Sequence, residues 1–150
     1  SLNAKQIDKF EDLVDLFLKV KISEGLIDIN ETTISWLDTV NFKISDSLIY
    51  MNNYNLVLDA LVAIEINNHN ELYKFFQTPR NYRKEIKEVQ FNLRYNFDQY
   101  IANLSGIKID GLIDQNINNT LKHLNIRDNK LKNRIYFKNL FNQAIKLYAG

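Results

Sequence analysis

The sequence predicts an all-α fold, a single compact and irregular bundle of six to seven helices. Apolar residues recur at intervals of three and four along most of the 150 residues, which is the periodicity of amphipathic helices. The chain has only one proline and four glycines, whereas a β-sandwich or barrel needs a turn signal every ~8–12 residues. Neither an internal repeat nor a Pro/Gly/Ser-rich linker divides the sequence, so residues 1–150 are predicted to form one domain.

Seven segments carry this helical spacing. Gly25 is suited to end the first of them, because glycine readily adopts the left-handed conformation that follows a helix. Asn30 is a candidate N-cap for the second. The alternating segments 26–29 and 107–109 are interpreted as extended connectors because they are so short. The predicted helices cover residues 4–24, 31–41, 46–66, 70–77, 79–104, 113–124 and 128–148.

The segment 79–104 shows the clearest helical pattern. Thr78 is a good N-cap, and Pro79 fits the first helical position, where its missing N–H costs nothing. Apolar residues then step by three or four up to Leu104, and Ser105-Gly106 ends the pattern. The apolar positions are Tyr82, Ile86, Val89, Leu93, Phe97, Tyr100 and Leu104.

The opposite side of this predicted helix combines aromatic and basic residues. Either the helix is central and Phe91 and Tyr95 belong to the core, or they are exposed and form a binding face. An exposed face of this composition suits a protein interface or stacking on single-stranded nucleic-acid bases. The solvent exposure of Phe91 and Tyr95 distinguishes these alternatives. The residues on this side are Arg80, Lys84, Lys87, Phe91, Arg94, Tyr95 and Asp98.

Charge is unevenly distributed along the chain. Residues 1–75 contain 6 Lys and 12 Asp/Glu, whereas residues 76–150 contain 13 Lys/Arg and 6 Asp/Glu. This asymmetry either marks interaction surfaces or means that the two halves pack together and neutralise each other. A basic segment over residues 127–138 is either a solvated helix face or part of a binding patch. It includes Arg127, Lys130 and Lys132.

Four carboxylates follow helical spacing in the first predicted helix, namely Asp8, Glu11, Asp12 and Asp15. They form a solvated face, a docking surface for a basic partner or a metal site. A ferritin-like metal site would also need Glu-x-x-His motifs from other helices. The chain has no such motif, so no metal is expected.

The composition excludes several functional classes. Without cysteine, the chain has no disulfide, no Cys-ligated zinc and no thiol nucleophile. His69 and His123 lack a second histidine at the spacing of a helical zinc site. No cofactor motif and no catalytic constellation is recognisable, so neither is expected. The most apolar stretch, residues 56–66, is too short to span a membrane.

The composition also bears on the origin of the protein. The chain has 21 Asn, 18 Ile and 14 Lys, which indicates an AT-rich genome of a microbe or virus. The many asparagines are therefore attributed to codon usage. The first residues lack the basic and apolar segments of a secretory signal. A cytoplasmic protein is expected, although removal of a signal peptide would leave the same start.

These observations predict a non-catalytic, soluble helical protein that acts through protein–protein binding, in an accessory, inhibitor or immunity-like role. The alternative is a nucleic-acid-binding module that uses the basic and aromatic side of the 79–104 helix and the segment 127–138. Such binding would weaken steeply with salt. A third interpretation is an enzyme built around His69 or His123, with carboxylates brought close by the fold.

Overall fold

The chain forms an antiparallel β-sheet with helices on one face, so the prediction of an all-α bundle of six to seven helices is wrong. The described part contains eleven strands and three helices. It consists, in the computed structural model, of residues 2–4, 13–36, 38–121, 126–127, 130 and 133–150. No helix in these ranges is both long and apolar enough to cross a membrane.

The elements follow one another mostly as hairpins. The strands are β1 (Leu2–Ala4), β2 (Leu13–Leu18), β3 (Lys21–Ser23), β4 (Leu26–Asp28), β5 (Thr32–Trp36), β6 (Val40–Asn52), β7 (Asn55–Ile66), β8 (Glu88–Asn96), β9 (Ile101–Ile109), β10 (Leu112–Ile113) and β11 (Ile126–Arg127). The helices are α1 (His69–Phe75), α2 (Gln115–Leu121) and α3 (Arg134–Ala149), with one 3₁₀ turn at Arg80–Tyr82.

The strands pair in the order β1-β2-β5-β6-β7-β8-β9-β10, and every pairing is antiparallel. Strand β4 pairs with β3 on one side and with the second half of β6 on the other. Strand β11 pairs with β9. From β5 to β10 the sheet is a meander in which neighbours along the chain are neighbours in space, which keeps its connections short.

The connection between β4 and β5 lies beside β6 at the point where the register of β6 against β7 shifts, between Ser45 and Leu48. The side-chain oxygen of Asn30 accepts hydrogen bonds from the backbone N–H of Ser47 at 2.7 Å and from its hydroxyl at 2.9 Å. The Ser47 hydroxyl in turn accepts from the N–H of Ile29 at 2.8 Å. Asn30 is thus not a helix cap. It joins the connection between β4 and β5 to the bulge of β6, and such a bulge bends and twists the strand that carries it.

The predicted helix 46–66 is the β6–β7 hairpin. Its turn consists of Asn53 and Tyr54, both with positive φ (46° and 64°). A two-residue turn needs positive φ at both positions if its twist is to match that of the two strands. The stretch 56–62 reads Leu-Val-Leu-Asp-Ala-Leu-Val. A nearly continuous apolar run fits a buried strand as well as a helix, and here it forms a strand.

The predicted helix 79–104 is replaced by β8, a turn and the first part of β9. Alternate residues of a strand share a face, so Phe91 and Tyr95 lie on the same side as Val89 and Leu93. Arg94 lies on the other side. The turn is held by the side-chain oxygen of Asn96, which accepts from the N–H groups of Asp98 and Gln99.

The remaining predicted helices divide into two groups. The described parts of 4–24 and 31–41 form β2, β3 and β5, and the connectors 26–29 and 107–109 contribute to β4 and β9. The C-terminal and short helices have counterparts. The predicted helix 70–77 corresponds to α1, the predicted helix 113–124 overlaps α2, and the predicted helix 128–148 overlaps α3.

The helices cover one face of the sheet, called here the helix-side face. One buried cluster joins the helices to β9, and a second joins α1 to β6. Trp36 on β5 extends the second cluster, with its ring 4.6 Å from that of Phe75. The first cluster is Tyr73, Ile86, Ile107, Ile109, Ile117, Leu121 and Ile145. The second is Val40, Leu72 and Phe76.

Tyr73 is at the centre of the first cluster and is fully buried. Its hydroxyl donates to the carbonyl oxygen of Lys84 at 2.6 Å. Burial raises the pKa of Tyr73 to about 12, and the nearby Tyr148 and Asp110 act in the same direction against the guanidinium of Arg83. The neutral phenol is therefore the form that the fold stabilises.

We predict that Tyr73→Phe lowers the free energy of unfolding by about 1 kcal/mol at neutral pH, because one buried hydrogen bond is lost. The folded pKa of about 12 exceeds the ordinary value of 10.0. The contribution of Tyr73 is therefore complete below about pH 10 and is lost as the pH rises toward about 12. Urea denaturation at several pH values should show the advantage of wild type over Tyr73→Phe shrinking across this range.

Tyr54→Phe is the matched control, since Tyr54 is 97% exposed. Its unfolding free energy should follow wild type at every pH. A constant difference between wild type and Tyr73→Phe from neutral to alkaline pH would contradict the prediction.

Candidate binding surface

The segments that carry α1, the 3₁₀ turn and α3 are strongly basic. Residues 69–87 and 133–150 together contain eight Lys/Arg and two Glu. We call the surface of these segments the basic layer. Its cations are Lys74, Arg80, Arg83, Lys84, Lys87, Arg134, Lys138 and Lys146. Among the described residues, only Lys74 and Lys87 have carboxylate partners, Glu71 at 2.6 Å and Glu85 at 3.9 Å.

The basic layer brings together two segments that are about 60 residues apart in sequence. Asn142 of α3 accepts a hydrogen bond from the hydroxyl of Thr78 at 2.6 Å and donates to the carbonyl of Phe76 at 2.8 Å. The ammonium of Lys138 bonds the side-chain oxygen of Gln77. These contacts fix α3 against the end of α1, so that the cations of both segments share one surface.

Aromatic rings support several of these cations. The ammonium of Lys84 lies 5.3 Å from the ring of Tyr148, and that of Lys146 lies 5.8 Å from the ring of Tyr82. The guanidinium of Arg134 lies 4.9 Å from the ring of Phe75. The negative face of a ring stabilises a cation without cancelling its charge. The cations are thereby held in place while their charge remains available to a partner.

Backbone carbonyls stabilise two more contacts of the layer. Lys84 donates to the carbonyl of Tyr148 at 3.2 Å, in the last turn of α3, where the helix dipole favours positive charge. Arg83 donates from Nε to the carbonyl of Thr78 at 2.8 Å. These neutral partners explain how the fold tolerates so many unpaired cations.

Apolar side chains lie exposed on α3 between the cations. Ile135 is 71% exposed, Phe137 45% and Leu147 36%. Phe137 is anchored at one edge, with its ring 5.8 Å from that of Phe76. These side chains place apolar groups on the same helix as Arg134, Lys138 and Lys146.

Ion pairing does not neutralise the two halves of the chain within the described residues. Of the five ion pairs there, four join residues of the same half. Arg94 and Asp59 form the pair that connects the halves, at 3.2 Å. The charge asymmetry of the sequence therefore persists on the folded surface, with the basic layer as its positive part.

The structure separates the residues that were predicted to share one face of a helix. Arg80, Lys84 and Lys87 are exposed and belong to the basic layer. Phe91 and Tyr95 are half-buried on the helix-side face, where Phe91 packs against the first core cluster. The ring of Tyr95 contacts that of Phe97 at 4.9 Å. Arg94 lies on the opposite face, beside Asp59.

The other predicted site residues fall at several places. Arg127 is exposed on β11, and the ammonium of Lys130 lies 5.4 Å from the ring of Tyr136. The backbone of Asp15 lies in β2 opposite Ser35. Lys132, Asp8, Glu11, Asp12 and His123 lie outside the described residues. Within the described ranges, no group of three or more metal-ligating side chains is found.

Sequence reasoning missed Arg83 and Lys146, whereas Arg134 and Lys138 lie within the basic segment 127–138 that it singled out. The signal was the balance of charge in two separate segments, 69–87 and 133–150, which only the fold brings together. A count over each segment finds the cations. Their convergence depends on contacts such as Thr78–Asn142, which have no local sequence pattern.

Comparison with protein-family models, curated proteins and solved structures finds no match to this chain. The function has to be inferred from the geometry and charge of the surface.

We predict that Asn142→Ala destabilises the protein by roughly 1–3 kcal/mol, because the buried hydroxyl of Thr78 and the carbonyl of Phe76 both lose their partner. Asn139→Ala, three residues earlier on the same helix, is the control. Asn139 is exposed, and its replacement should change the unfolding free energy by less than about 0.5 kcal/mol. Equal effects of the two substitutions in urea denaturation would contradict the role given to Asn142.

Proposed function

We propose that the protein is a non-catalytic binding protein whose basic layer docks on an acidic surface of another protein. The observation that carries this proposal is the charge of the layer, eight Lys/Arg against two Glu. Four of these eight cations, Arg83, Lys84, Arg134 and Lys146, have ring or backbone-carbonyl partners in place of carboxylates. Complementary charge steers association and selects the partner.

The exposed apolar residues favour a protein as the partner over a nucleic acid. Ile135 and Leu147 are aliphatic and exposed on the same helix as Arg134 and Lys146. A phosphate backbone offers such side chains no apolar contact, whereas protein interfaces combine an apolar centre with arginine and a polar rim. The mixture of cations and aliphatic groups therefore supports recognition of an acidic protein surface that also presents apolar side chains.

The experiment compares three anionic probes of equal charge by fluorescence anisotropy, at about 0.1 M salt, where distant charges are screened. The probes are a peptide that repeats Glu-Glu-Phe-Glu-Glu-Leu, a polyglutamate peptide and a single-stranded oligothymidylate. We expect the mixed peptide to bind most tightly, because it alone offers both carboxylates and apolar groups.

Two charge-reversal variants locate the binding. Arg80→Glu combined with Lys146→Glu alters the basic layer, and Lys21→Glu combined with Lys108→Glu makes the same charge change on exposed strand residues. The first variant should weaken binding of the mixed peptide by about tenfold or more, and the second by less than about threefold. If the Glu variant does not fold, Arg80→Gln with Lys146→Gln serves in its place.

A third variant tests the apolar part of the surface. Ile135→Ser should weaken binding of the mixed peptide but leave binding of polyglutamate unchanged. Tightest binding of the oligothymidylate would favour the nucleic-acid module and overturn the proposal. Equal losses in the layer variant and the strand variant, or no binding of the mixed peptide, would also overturn it.

A further inference from the structure

The face of the sheet opposite the helices carries a polar depression. Register pairing places Asp59, Arg94 and Asn103 side by side on β7, β8 and β9. The next row on the same face consists of Leu61, Asn92 and Ser105. We call this side of the sheet the polar face. A cavity of about 450 Å³ lies over these two rows, within the range of ~300–1,000 Å³ typical of small-molecule sites.

A second cavity of about 220 Å³ continues the first toward the hairpin turns, and both are lined by Arg94 and Asn103. It is bordered by Asn53 and Asn55 of the β6–β7 turn and by Gln99 of the β8–β9 turn. From Leu61 to Asn55 the depression follows β7 for roughly 20 Å, at about 3.4 Å per residue. Its shape suits a chain-like ligand.

Arg94 is fixed at the junction of the two cavities. Its guanidinium donates to the hydroxyl of Tyr50 at 2.7 Å and lies 3.2 Å from a carboxylate oxygen of Asp59. The Tyr50 hydroxyl donates to the same carboxylate at 2.7 Å. The charge of Arg94 is thus balanced by Asp59, and these three planar groups present oriented donors and acceptors on rigid strands.

Asparagine is frequent among the residues that line this depression. Six of the sixteen residues that line the two cavities are asparagines, compared with 21 of 150 in the whole chain. They are Asn52, Asn53, Asn55, Asn92, Asn96 and Asn103. Asn53 and Asn96 belong to the hairpin turns that border the depression, through a positive φ and through hydrogen bonds from Asp98 and Gln99, whereas Asn92 lies outside the turns.

Glycine at position 106 makes room for one of these amides. Gly106 has a φ of 62°, and a Cβ there would lie 2.6 Å from the side-chain nitrogen of Asn92. The Asn92 amide therefore lies against the bulge of β9, facing the cavity. Neither Asn92 nor Ser105 has a side-chain hydrogen-bond partner among the described residues, which leaves donors and acceptors for a ligand.

The lining decides the chemistry of the ligand. Arg94 is the single cation among the lining residues, and Asp46 and Asp59 are the anions. A phosphate or other anion would meet no uncompensated positive charge. An apolar ligand would cover the exposed amide of Asn92 and the exposed hydroxyl of Ser105 without bonding to them, at a cost in free energy. A neutral ligand rich in hydroxyl groups bonds to both side chains and brings no charge.

Two exposed tyrosines are sequence neighbours of residues that line the second cavity, and neither tyrosine is itself a lining residue. Tyr54 is 97% exposed between Asn53 and Asn55, and Tyr100 is 60% exposed next to Gln99. Tyrosine presents an apolar ring with a polar hydroxyl, on which the C–H groups of a sugar ring can pack. From this combination we infer that the polar face binds a neutral oligosaccharide, with Arg94 and the surrounding amides contacting its hydroxyl groups.

The test uses nuclear magnetic resonance on the ¹⁵N-labelled protein with maltotetraose, cellotetraose, mannotetraose and chitotetraose, each up to about 10 mM, so that millimolar affinity is detected. At least one tetrasaccharide should shift the side-chain amide signals of Asn92 and Asn103 and the Nε–H signal of Arg94. The backbone signals of the basic layer should not move.

Variants then assign the contacts. Arg94→Ala and Asn92→Ala should each weaken binding of the saccharide by about tenfold or more, because each substitution removes a hydrogen-bond partner of the saccharide hydroxyl groups. Asn81→Ala and Asn139→Ala replace exposed asparagines outside the depression and should leave affinity within about twofold. The two-dimensional spectrum of each variant reports its folding, and Asn92→Ala leaves the Arg94–Asp59 pair in place.

Three outcomes would overturn the proposal. The first is the absence of shifts with every tetrasaccharide. The second is a set of shifts confined to residues outside the depression. The third is an oligothymidylate or a neutral Ser-Gly decapeptide that binds at Asn92 and Asn103 more tightly than any tetrasaccharide. That result would assign the polar face to nucleic acid or to peptide.

Discussion

The hydrogen bond between Tyr73 and the carbonyl of Lys84 is the contact on which the helical side of the molecule depends. A buried hydroxyl requires a partner, so the bond sets where residue 84 passes relative to α1. Two residues further on, Ile86 enters the core, and the carbonyl of Lys87 accepts from the N–H of Ile66 at 2.8 Å. The bond thus links α1 to the last residue of β7. It also directs the Lys84 ammonium to the end of α3.

The apolar interior beneath α1 and α3 explains why the cations of the basic layer lie at the surface. The interior between α1, α3 and β9 is filled by aliphatic and aromatic side chains, and a cation placed there would need a compensating anion. The lysines and arginines of these segments therefore extend over aromatic rings toward solvent. The exposure of their positive charge is a consequence of how the helices pack on the sheet.

Strand β8 shows how far the sequence alone leads and where it fails. Val89, Phe91, Leu93 and Tyr95 alternate with polar residues, which is the period of a half-buried strand. The same residues also fit steps of three and four when Phe91 and Tyr95 are assigned to a second face. The helical reading requires that second face, and the strand reading does not. The alternation was therefore the more economical interpretation, and it could have been recognised.

The scarcity of glycine and proline misled the prediction for a different reason. Nine described residues other than glycine adopt positive φ, so the turns form without the usual residues. Asp38, Asp46, Asn53 and Asp110 are among them, and aspartate and asparagine tolerate this conformation better than most residues. In a chain poor in glycine, Asx residues before a change of strand are the turn signal. The helices near the C-terminus were predictable because their apolar spacing admits no strand alternative.

The placement of asparagine separates composition from function. Asparagine is abundant throughout the chain, and the fold uses it at several places where a side chain bonds to the backbone. Asn30 joins the connection between β4 and β5 to the bulge of β6, and Asn142 holds α3 against α1. Such asparagines have structural partners that account for them. Asn92, which faces a cavity without a described partner, is not accounted for in that way, and an excess of this kind on the polar face is what a ligand site for hydroxyl groups requires.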